Sequence, residues 1–400
     1  MKQMAQPDRR TTDALITVYR DGLLNDVVPF WINHCVDERH GGFTFALDRD
    51  GGLLSTDKYL WLHGRFVWLL SELCLQVERR AQWLDLAEHG MAFILAHGFA
   101  ENGKMYFSVD RQGRPLRMRR YVFSEAFAVM AMASLSRVKG DAALADRAVA
   151  LFRQMLEYYT EPGLMEPKFD PRTRPMRGFS TPMIVLSTAQ VLREAAGASL
   201  CREWIDRSIA EIETVFMNHE HKAVLETAGP DGEMIDTLEG RTLTPGHAIE
   251  AAWFILHEAK LRGNDPGLRK TGLTILDWMW ARGWDPEYGG LLYYTDVRGL
   301  PCSEYWHDMK FWWPHNEAII ATLLAYALTG EEAYLEMHRQ VHDWAHAHFS
   351  DPEYGEWFGY LHRDGTVSSR LKGNQWKGPF HVPRMQLYCW QLLAEGKRPE

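Results

Sequence analysis

Residues 41–52, GGFTFALDRDGG, decide the fold because their pattern recurs along the chain. Alternating aromatic residues lead into an Asp/Gly turn, which is the composition of a β-hairpin. The same pattern returns at 105–113 (MYFSVDRQG), 289–299 (GGLLYYTDVRG) and 357–365 (WFGYLHRDG), with a weaker copy at 223–236. A strand-like insert that recurs in one chain indicates a repeated structural unit.

The segments between these inserts show the hydrophobic periodicity of amphipathic helices. The spacing predicts twelve helices, at 11–34, 60–78, 82–97, 122–138, 142–159, 180–196, 200–218, 246–262, 266–283, 315–329, 331–348 and 383–395. Helices paired by hairpin-bearing loops predict an all-α fold, an (α/α)6 barrel with short β-hairpins in the loops at one rim. An open α-solenoid is the alternative, although its repeats should be more uniform in length and sequence. Because no Pro/Gly/Ser-rich linker interrupts the helices, we expect residues 1–400 to form a single domain.

Composition indicates a soluble globular protein and argues against several kinds of partner. Hydrophobic residues make up 46% of the 400 positions and charged residues 24%, which are ordinary values. The net charge of −9 argues against nucleic acid and anionic membranes, because both attract basic surfaces. One dense basic run, formed by Arg114, Arg117, Arg119 and Arg120, is interpreted as a solvated loop, with phosphate binding as the alternative.

Aromatic residues are abundant, with 16 Trp, 15 Tyr and 18 Phe. Most such residues fill the core, but sugar-binding enzymes also use them as stacking surfaces. Five scattered cysteines without a CxxC pair support neither a disulfide framework nor a zinc ribbon. The first residues lack an apolar signal region, and no stretch of about 20 apolar residues could span a bilayer. We therefore expect a cytoplasmic protein.

Three segments set a histidine at a predicted helix start, behind a Gly or Pro: 245–251 (PGHAIEA), 310–318 (KFWWPHNEA) and 378–384 (GPFHVPR). Histidine is the side chain best suited to proton transfer near neutral pH. His247 and Glu250 are three positions apart and share a helix face, so the acid could orient the ring. Each of these histidines could instead be a structural group at a helix start.

The second and third segments carry further candidate groups. His315 and Glu317 follow Pro314, and an acid in a first helical turn can simply complement the helix dipole. Lys310 and the Trp312-Trp313 pair place charge and flat aromatic surface beside this acid. Before His381, a loop containing Trp376 could cover a polar ligand, with Lys372 or Lys377 donating hydrogen bonds; a plain surface loop is the alternative.

Other kinds of chemistry have weaker support. His342 and His346 share a helix face, as a metal-binding pair would, but no third ligand has suitable spacing and the helix is interpreted as exposed. The sequence contains no Gly-x-Ser-x-Gly elbow, Walker A loop or Gly-x-Gly-x-x-Gly fingerprint. A serine hydrolase, a P-loop NTPase and a Rossmann dehydrogenase are therefore disfavoured.

Taken together, these motifs resemble the N-acylglucosamine 2-epimerase family over nearly the whole chain. The resemblance begins at 58–68 and passes through 123–127, 240–251, 310–318 and 349–360 to 380–384. It implies an (α/α)6 barrel that interconverts N-acetyl-D-glucosamine and N-acetyl-D-mannosamine. The family's catalytic histidines fall on His247 and His381, its arginine on Arg65, and its acids on Glu250 and Glu317.

Those residue types suit epimerisation at C2 of an open-chain sugar. One imidazole would remove the proton and a second would return one to the opposite face. A fixed guanidinium such as Arg65 could stabilise the enediolate oxygen, while the acids orient the histidines or assist ring opening. We expect substrate contacts from residues within or beside the motifs: Tyr59, Arg241, Lys310, Trp313 and Trp376.

The resemblance leaves the exact substrate and reaction open. Cellobiose 2-epimerases and mannose isomerases resemble this family but typically carry a further histidine on a central helix, and this chain has none between His97 and His219. That absence favours an N-acyl sugar, with an unacylated aldose or an aldose–ketose isomerisation as the alternative. Glycoside hydrolysis, which needs two suitably spaced carboxylates, and non-catalytic binding are further alternatives.

The resemblance also bears on cofactors and assembly. We expect no required cofactor and no metal, an amino sugar as the small-molecule partner, and a homodimer. Some family members respond to ATP as an allosteric effector, but this sequence shows no phosphate-binding loop that would support one.

Overall fold

The computed structural model describes residues 4–118, 121–165 and 170–395, so Arg119 and Arg120 of the basic run lie outside the described residues. Its helices are α1 (Arg9–Asp21), α2 (Val28–Cys35), α3 (Leu60–Gln76), α4 (Ala81–His97), α5 (Phe123–Lys139), α6 (Ala142–Thr160), α7 (Ser180–Ala196), α8 (Ala198–Glu211), α9 (Leu238–Arg241), α10 (Pro245–Leu261), α11 (Pro266–Gly283), α12 (Trp312–Thr329), α13 (Glu332–Phe349) and α14 (His381–Glu395). The helix predicted at 11–34 is two α-helices joined by a π-helical turn, Gly22–Val27, and a second π-helical turn, Ile212–Phe216, follows α8.

These helices form two concentric layers. The inner helices α3, α5, α7, α10, α12 and α14 pack in sequence, and an outer helix lies against each of them: α4, α6, α8, α11, α13 and α1. The ring is closed by Phe380, which immediately precedes α14 and contacts Trp68 of α3 and Phe127 of α5, with ring centroids 5.3 and 5.2 Å apart. The predicted (α/α)6 barrel is confirmed, and the open solenoid is not the fold.

The layer that a helix occupies follows from its sequence. Every residue from Trp312 to Leu328 of α12 is buried, because most of that helix is apolar and its apolar residues lie on every side. The outer helix α13 buries only a stripe that includes Val341 and Ala345. Buried apolar side chains from Tyr19 to Leu393 form one cluster, and the single-domain organisation stays a prediction. Within the described residues, no helix has the length and apolar character needed to cross a membrane.

Short antiparallel strands join the layers at one end. They are β1 (Ala46–Leu47), β2 (Leu53–Ser55), β3 (Lys58–Tyr59), β4 (Ser108–Val109), β5 (Pro115–Arg117), β6 (Arg177–Gly178), β7 (Met217–Asn218), β8 (Ala223–Val224), β9 (Thr227–Ala228), β10 (Thr242–Leu243), β11 (Thr295–Asp296), β12 (Lys310–Phe311), β13 (Tyr360–Leu361) and β14 (Val367–Ser369). The predicted hairpins form as β1–β2, β4–β5 and β13–β14.

Two of the predicted hairpins are wrong. β11 pairs with β10 from the preceding loop, with Thr242 opposite Asp296 and Leu243 opposite Thr295, and not with a strand beyond its own turn. In the weak copy at 223–236, β8 pairs with β7 and β9 pairs with β6, so neither strand pairs across the turn at Pro230.

Three buried ion clusters, here called rim clamps, tie neighbouring loops together. In each, an aspartate accepts from a buried lysine and from an arginine of the next loop: Asp37 with Lys58 (3.0 Å) and Arg111 (2.9 Å), Asp285 with Lys310 (2.9 Å) and Arg363 (2.8 Å), and Asp351 with Lys372 (2.9 Å) and Arg49 (2.8 Å). The third clamp joins the last loop to the first and so completes the ring.

Candidate active site

A cavity of about 1260 Å³ opens at the barrel end that carries the short strands. Its walls include four residues expected to be catalytic: Arg65, His247, Glu250 and His381. Trp313 and Trp376, which we expected to contact substrate, also line it, together with other aromatic residues such as Trp61, Trp312 and Tyr293. These residues come from different helices and loops, so the fold brings together what the chain separates.

His381 is held by the buried carboxylate of Glu317. Its Nδ1 lies 2.7 Å from Oε1 of Glu317, whose Oε2 accepts from Nε1 of Trp253 at 2.7 Å. Because an ionised carboxylate only accepts, Nδ1 carries the hydrogen and Nε2 keeps its lone pair. Burial, followed by the positive charges of Arg65 and Arg384, lowers the pKa of His381 well below its usual value. His381 is therefore neutral and available as a base.

Glu317 lies behind His381 and does not itself line the cavity. It is fully buried on α12, which begins at Trp312 and not at 315 as predicted, because Pro314 is tolerated within a first helical turn. Glu317 consequently lies beyond the first turn, so an interaction with the helix dipole does not explain why an acid occupies this position. Its contact with His381 gives it a positioning role.

Arg384 connects the two acids. It lies one turn after His381 on α14, and its Nη2 is 2.5 Å from Oε1 of Glu250 and 2.6 Å from Oε1 of Glu317. Glu250 therefore pairs with Arg384, and the expectation that it orients His247 is wrong. Residues three positions apart on a helix share a face, so Glu250 and His247 both face the cavity. They nevertheless contact different partners.

His247 is oriented by Glu226 instead. Its Nδ1 lies 3.0 Å from Oε2 and 3.1 Å from Oε1 of that carboxylate, and Glu226 lies between β8 and β9. The side chains keep 29% and 24% of their surface exposed, respectively, so this pair is accessible from the cavity mouth. At the start of α10, a Cβ on Gly246 would come within 2.7 Å of the Trp313 ring, so glycine permits the close packing there.

Trp313 forms a shared wall for both histidines. The centroid of its ring lies 5.0 Å from that of His247 and 5.9 Å from that of His381. Both imidazoles therefore lie within reach of one bound molecule that stacks on this indole. For the two imidazoles to reach opposite faces of one carbon, we expect their reactive ring nitrogens to lie roughly 6–8 Å apart, which stays a prediction.

Arg65 is a buried cation in an aromatic cage. Its guanidinium lies 4.2 Å from the ring of Trp61, 4.3 Å from that of Phe127 and 4.6 Å from that of Phe380. Burial lowers its pKa to about 9, which leaves it charged at neutral pH. Its Nε has no hydrogen-bond partner among the described residues, so the guanidinium is available to an anionic oxygen.

Three expected substrate contacts lie outside the cavity lining that the described residues form. Lys310 is fully buried in a rim clamp, because successive side chains of β12 point to opposite faces and Phe311 takes the cavity side. Arg241 pairs with Asp296 at 3.0 Å and with Asp236 at 2.7 Å. The backbone oxygen of Tyr59 accepts from His63, and its ring packs against Phe107. These expectations are corrected.

His315 is structural. Its Nδ1 donates to the backbone oxygen of Phe311 at 2.7 Å, and its Nε2 accepts from the backbone N–H of Leu291 at 2.8 Å. Burial lowers its pKa to about 3, so the ring stays neutral. The preceding Gly290 has a φ of +71° and would clash with His315 through any Cβ. His63 makes the same pair of contacts in the first repeat, to Tyr59 and Phe43.

Two residues at the site escaped the sequence prediction. Arg384 stands three positions after His381, and that helical spacing was a usable signal that the two share a face. Glu226 lies in the weak hairpin copy at 223–236, and nothing in the local pattern relates it to His247, which is 21 positions away. Only the tertiary contact between the loop that carries Glu226 and the start of α10 brings these two together.

One group of residues has the spacing of a metal site. Ligand atoms of Glu250, Glu317 and His381 lie within 4.8 Å of one another, the one such group found among the described residues. The Arg384 guanidinium bonds both carboxylates and offsets their charge, so the group is better suited to a guanidinium than to a metal ion. The His342–His346 pair lies against Tyr19, whose hydroxyl is 2.8 Å from Nδ1 of His342, and is part of helix packing.

Comparison with known proteins places the chain among sugar epimerases. A model of the N-acylglucosamine 2-epimerase (GlcNAc 2-epimerase) family matches residues 41–382. The chain is 40% identical over 382 residues to the N-acylglucosamine 2-epimerase of Bos taurus. The alignment covers 92% of this chain and 89% of that protein. The solved cellobiose 2-epimerase of Spirochaeta thermophila has the same fold, with a TM-score of 0.84 and 22% identity over 98% of this chain and 100% of that one. A solved D-mannose isomerase superposes with a TM-score of 0.80 and 18% identity, covering 98% of this chain and 100% of that one.

Proposed function

The chain belongs to the N-acylglucosamine 2-epimerase family and is a sugar 2-epimerase, and we propose that it interconverts N-acetyl-D-glucosamine and N-acetyl-D-mannosamine. The observation that carries the proposal is the pair His247 and His381, which line one cavity and share the Trp313 wall. Each imidazole has its Nδ1 on a carboxylate, so each presents Nε2 as the reactive nitrogen.

The two histidines lie in different surroundings. Burial, followed by the positive charges of Arg65 and Arg384, lowers the pKa of His381 and leaves it neutral. His247 instead contacts Glu226, and both of these side chains are partly exposed. An inversion at C2 requires one histidine to accept a proton and the other to donate one, and two imidazoles in one cavity can fill these two roles.

In the proposed reaction, the open-chain aldehyde lies on Trp313 with C2 between the imidazoles. Nε2 of one histidine takes the C2 proton, and the electron pair of the C–H bond passes into an enolate whose charge rests on the C1 oxygen. Arg65 stabilises that oxygen, because its guanidinium is buried and fixed by three aromatic rings. The other histidine then protonates C2 from the opposite face. Side chains carry every step, so the proposal needs no cofactor.

The wall formed by α7 supports an N-acyl substrate. This helix presents Met183 and Ile184 to the cavity together with the hydroxyl groups of Ser180, Thr181 and Ser187. An acetamido group has an apolar methyl and a polar amide, and such a mixed wall can accommodate both. The helix contains no histidine, so it offers no third proton-transfer group toward the sugar.

Incubation with a panel of sugars tests the proposal. Purified protein is given N-acetylglucosamine, N-acetylmannosamine, mannose, glucose and an aryl glycoside, and the products are separated by chromatography. We expect interconversion of the two N-acetyl sugars and no release of the aryl group, because Glu317 is buried and Glu250 is bound to Arg384, so the pair does not flank a glycosidic bond. A ketose product, or turnover of mannose alone, would contradict the proposed substrate.

A further inference from the structure

We infer that Glu226 is a positioning residue that connects His247 to solvent. The pair His247–Glu226, here called the His247 arm, therefore exchanges protons with water at a different rate from the pair His381–Glu317, here called the His381 arm. The inference rests on the proposed two-histidine epimerisation and adds a role for a residue outside the family motifs quoted above. It follows from the different burial of the two histidine–carboxylate pairs.

The backbone fixes Glu226 on both sides. Its carbonyl accepts from the N–H of Phe179 at 3.0 Å, and the neighbouring Leu225 donates to Phe216 at 2.9 Å. These contacts fix the backbone from which the carboxylate reaches the His247 ring, while a quarter of the Glu226 side chain is exposed. A fixed acceptor on Nδ1 determines both the tautomer and the direction of Nε2.

The opposite arm is sealed. The side chain of His381 is 9% exposed and that of Glu317 is fully buried, while the His247 and Glu226 side chains are 29% and 24% exposed. Trp312, Trp313 and Phe380 pack around the His381 ring, with centroids 6.2, 5.9 and 5.0 Å from it. A bound sugar would cover the remaining face. Water can thus reach the His247 arm during the lifetime of the enolate, but not the His381 arm.

This difference predicts an asymmetry in deuterium washout. When His247 removes the C2 proton, its imidazolium passes that proton to cavity water and takes a deuteron back. If the enolate then returns to substrate, the substrate carries deuterium. When His381 removes the proton, the same proton is still on Nε2 at the moment of return, and the recovered substrate keeps its hydrogen. Between turnovers the site is open, so product gains deuterium in either direction.

The test compares residual substrate with product in D₂O at less than about a tenth of full conversion. For each N-acetyl sugar, proton NMR and mass spectrometry give the ratio of substrate washout to product formation. We expect this ratio to be several-fold larger for one epimer. That epimer should be the one whose exchange survives in H381N, because that variant keeps only the His247 arm.

Variants of Glu226 test its part in the asymmetry. E226Q keeps an oxygen for Nδ1 but loses the charge that holds the ring beside cavity water, so we expect turnover to fall tenfold or more and the washout ratios of the two epimers to become equal. E226A should regain turnover with added formate or acetate, since the site is open to solvent and a small carboxylate can replace the missing one. The matched control is E233Q, a carboxylate in the same loop outside the cavity lining, which should behave as wild type.

The outcomes separate this inference from the proposed function. If the wild-type protein turns over both sugars with equal washout, or if E226Q keeps the wild-type asymmetry, the inference is overturned and the epimerase remains. If E226A is folded, as judged by its Tm, and no carboxylate rescues it, Glu226 has a structural role only, which also overturns the inference. Absence of turnover and of exchange in wild type overturns the proposed function and the inference together.

Discussion

Nδ1 of His381 lies 2.7 Å from Oε1 of Glu317, and both atoms are removed from solvent. Glu317 reaches this position from the middle of the barrel, where Trp253 and Arg384 hold both of its oxygens. A histidine oriented in this way keeps one tautomer and one ring direction. The contact also explains why a fully buried carboxylate is tolerated on an otherwise apolar helix, since each of its oxygens is hydrogen-bonded.

The first prediction concerns Glu317. E317Q can still contact Nδ1 of His381 through its amide oxygen, but Arg384 then loses a charged partner and the ring loses its anionic acceptor. We expect kcat to fall by about 10²–10⁴-fold with little change in KM, because the contact supports the proton transfer and not substrate binding. Steady-state kinetics measure this. E88Q, which changes an exposed carboxylate of α4, is the control, and an E317Q enzyme with wild-type kcat would contradict the role.

The second prediction concerns the two bases. H247N and H381N should each abolish epimerisation while the fold is kept, because asparagine remains polar but cannot accept a proton. H381N keeps the open His247 arm and should still exchange the C2 proton of one epimer in D₂O, whereas H247N keeps only the sealed His381 arm and should exchange that of the other epimer much more slowly. Proton NMR of the recovered sugars reports this. Near-normal epimerisation by both single variants would mean that these histidines are structural.

The third prediction concerns acid stability. Burial lowers the pKa of His257 and His338 to about 4 and that of His63 and His315 to about 3, against an ordinary value of 6.5. The unfolded chain binds protons at these histidines that the folded protein does not, so stability is complete above pH 6.5 and falls as the pH drops below it. Each residue contributes up to about 1.4 kcal/mol per pH unit in that window.

Urea unfolding between pH 7.5 and 5 measures this slope. The aspartates of the rim clamps have lowered pKa values, so their contribution is lost only below about pH 4 and does not interfere. Substituting His315 by glutamine should reduce the slope by about one proton. A free energy of unfolding that is flat across this range would contradict the assignment of neutral buried histidines.

The fourth prediction concerns the rim clamp that closes the ring. D351N leaves Lys372, which is fully buried, without its carboxylate at 2.9 Å and removes one of the two acidic partners of Arg49, the other being Glu353. Breaking one side of a buried ion pair costs about 3–5 kcal/mol. The control D170N breaks an exposed pair with Arg172 and should cost less than about 1 kcal/mol. Chemical denaturation distinguishes them, and equal losses would show that the third clamp does not hold the barrel closed.

Helical periodicity predicted the barrel well because the inner and outer layers differ in how their apolar residues are spaced. All twelve predicted helices are present, although π-helical turns divide the segment at 11–34 and end the one at 200–218. Sequence alone could not show which buried charges serve the cavity. Lys310 and His315 belong to a motif beside the site. Their contacts with Asp285 and Leu291, which are distant in sequence, give them structural roles instead.

Contacts within the candidate site were predictable where both contacting residues lie on one helix. They were not predictable where tertiary packing brings the two residues together. Glu250 is three residues from His247, but Arg384 takes its carboxylate, and Glu226 reaches the histidine from a separate loop. The homodimer, the ATP effect and the cytoplasmic location stay predictions, since they depend on partners and surroundings outside one chain.

The central claim is that two imidazoles exchange a proton at C2, and one measurement tests it most directly. Wild-type protein is mixed with N-acetylmannosamine in D₂O, and proton NMR follows the C1 and C2 signals over time. The account predicts that N-acetylglucosamine forms and that its C2 position carries deuterium, because the second histidine delivers a solvent-derived proton. N-acetylglucosamine that retains the original hydrogen at C2, or the absence of any conversion, would contradict it.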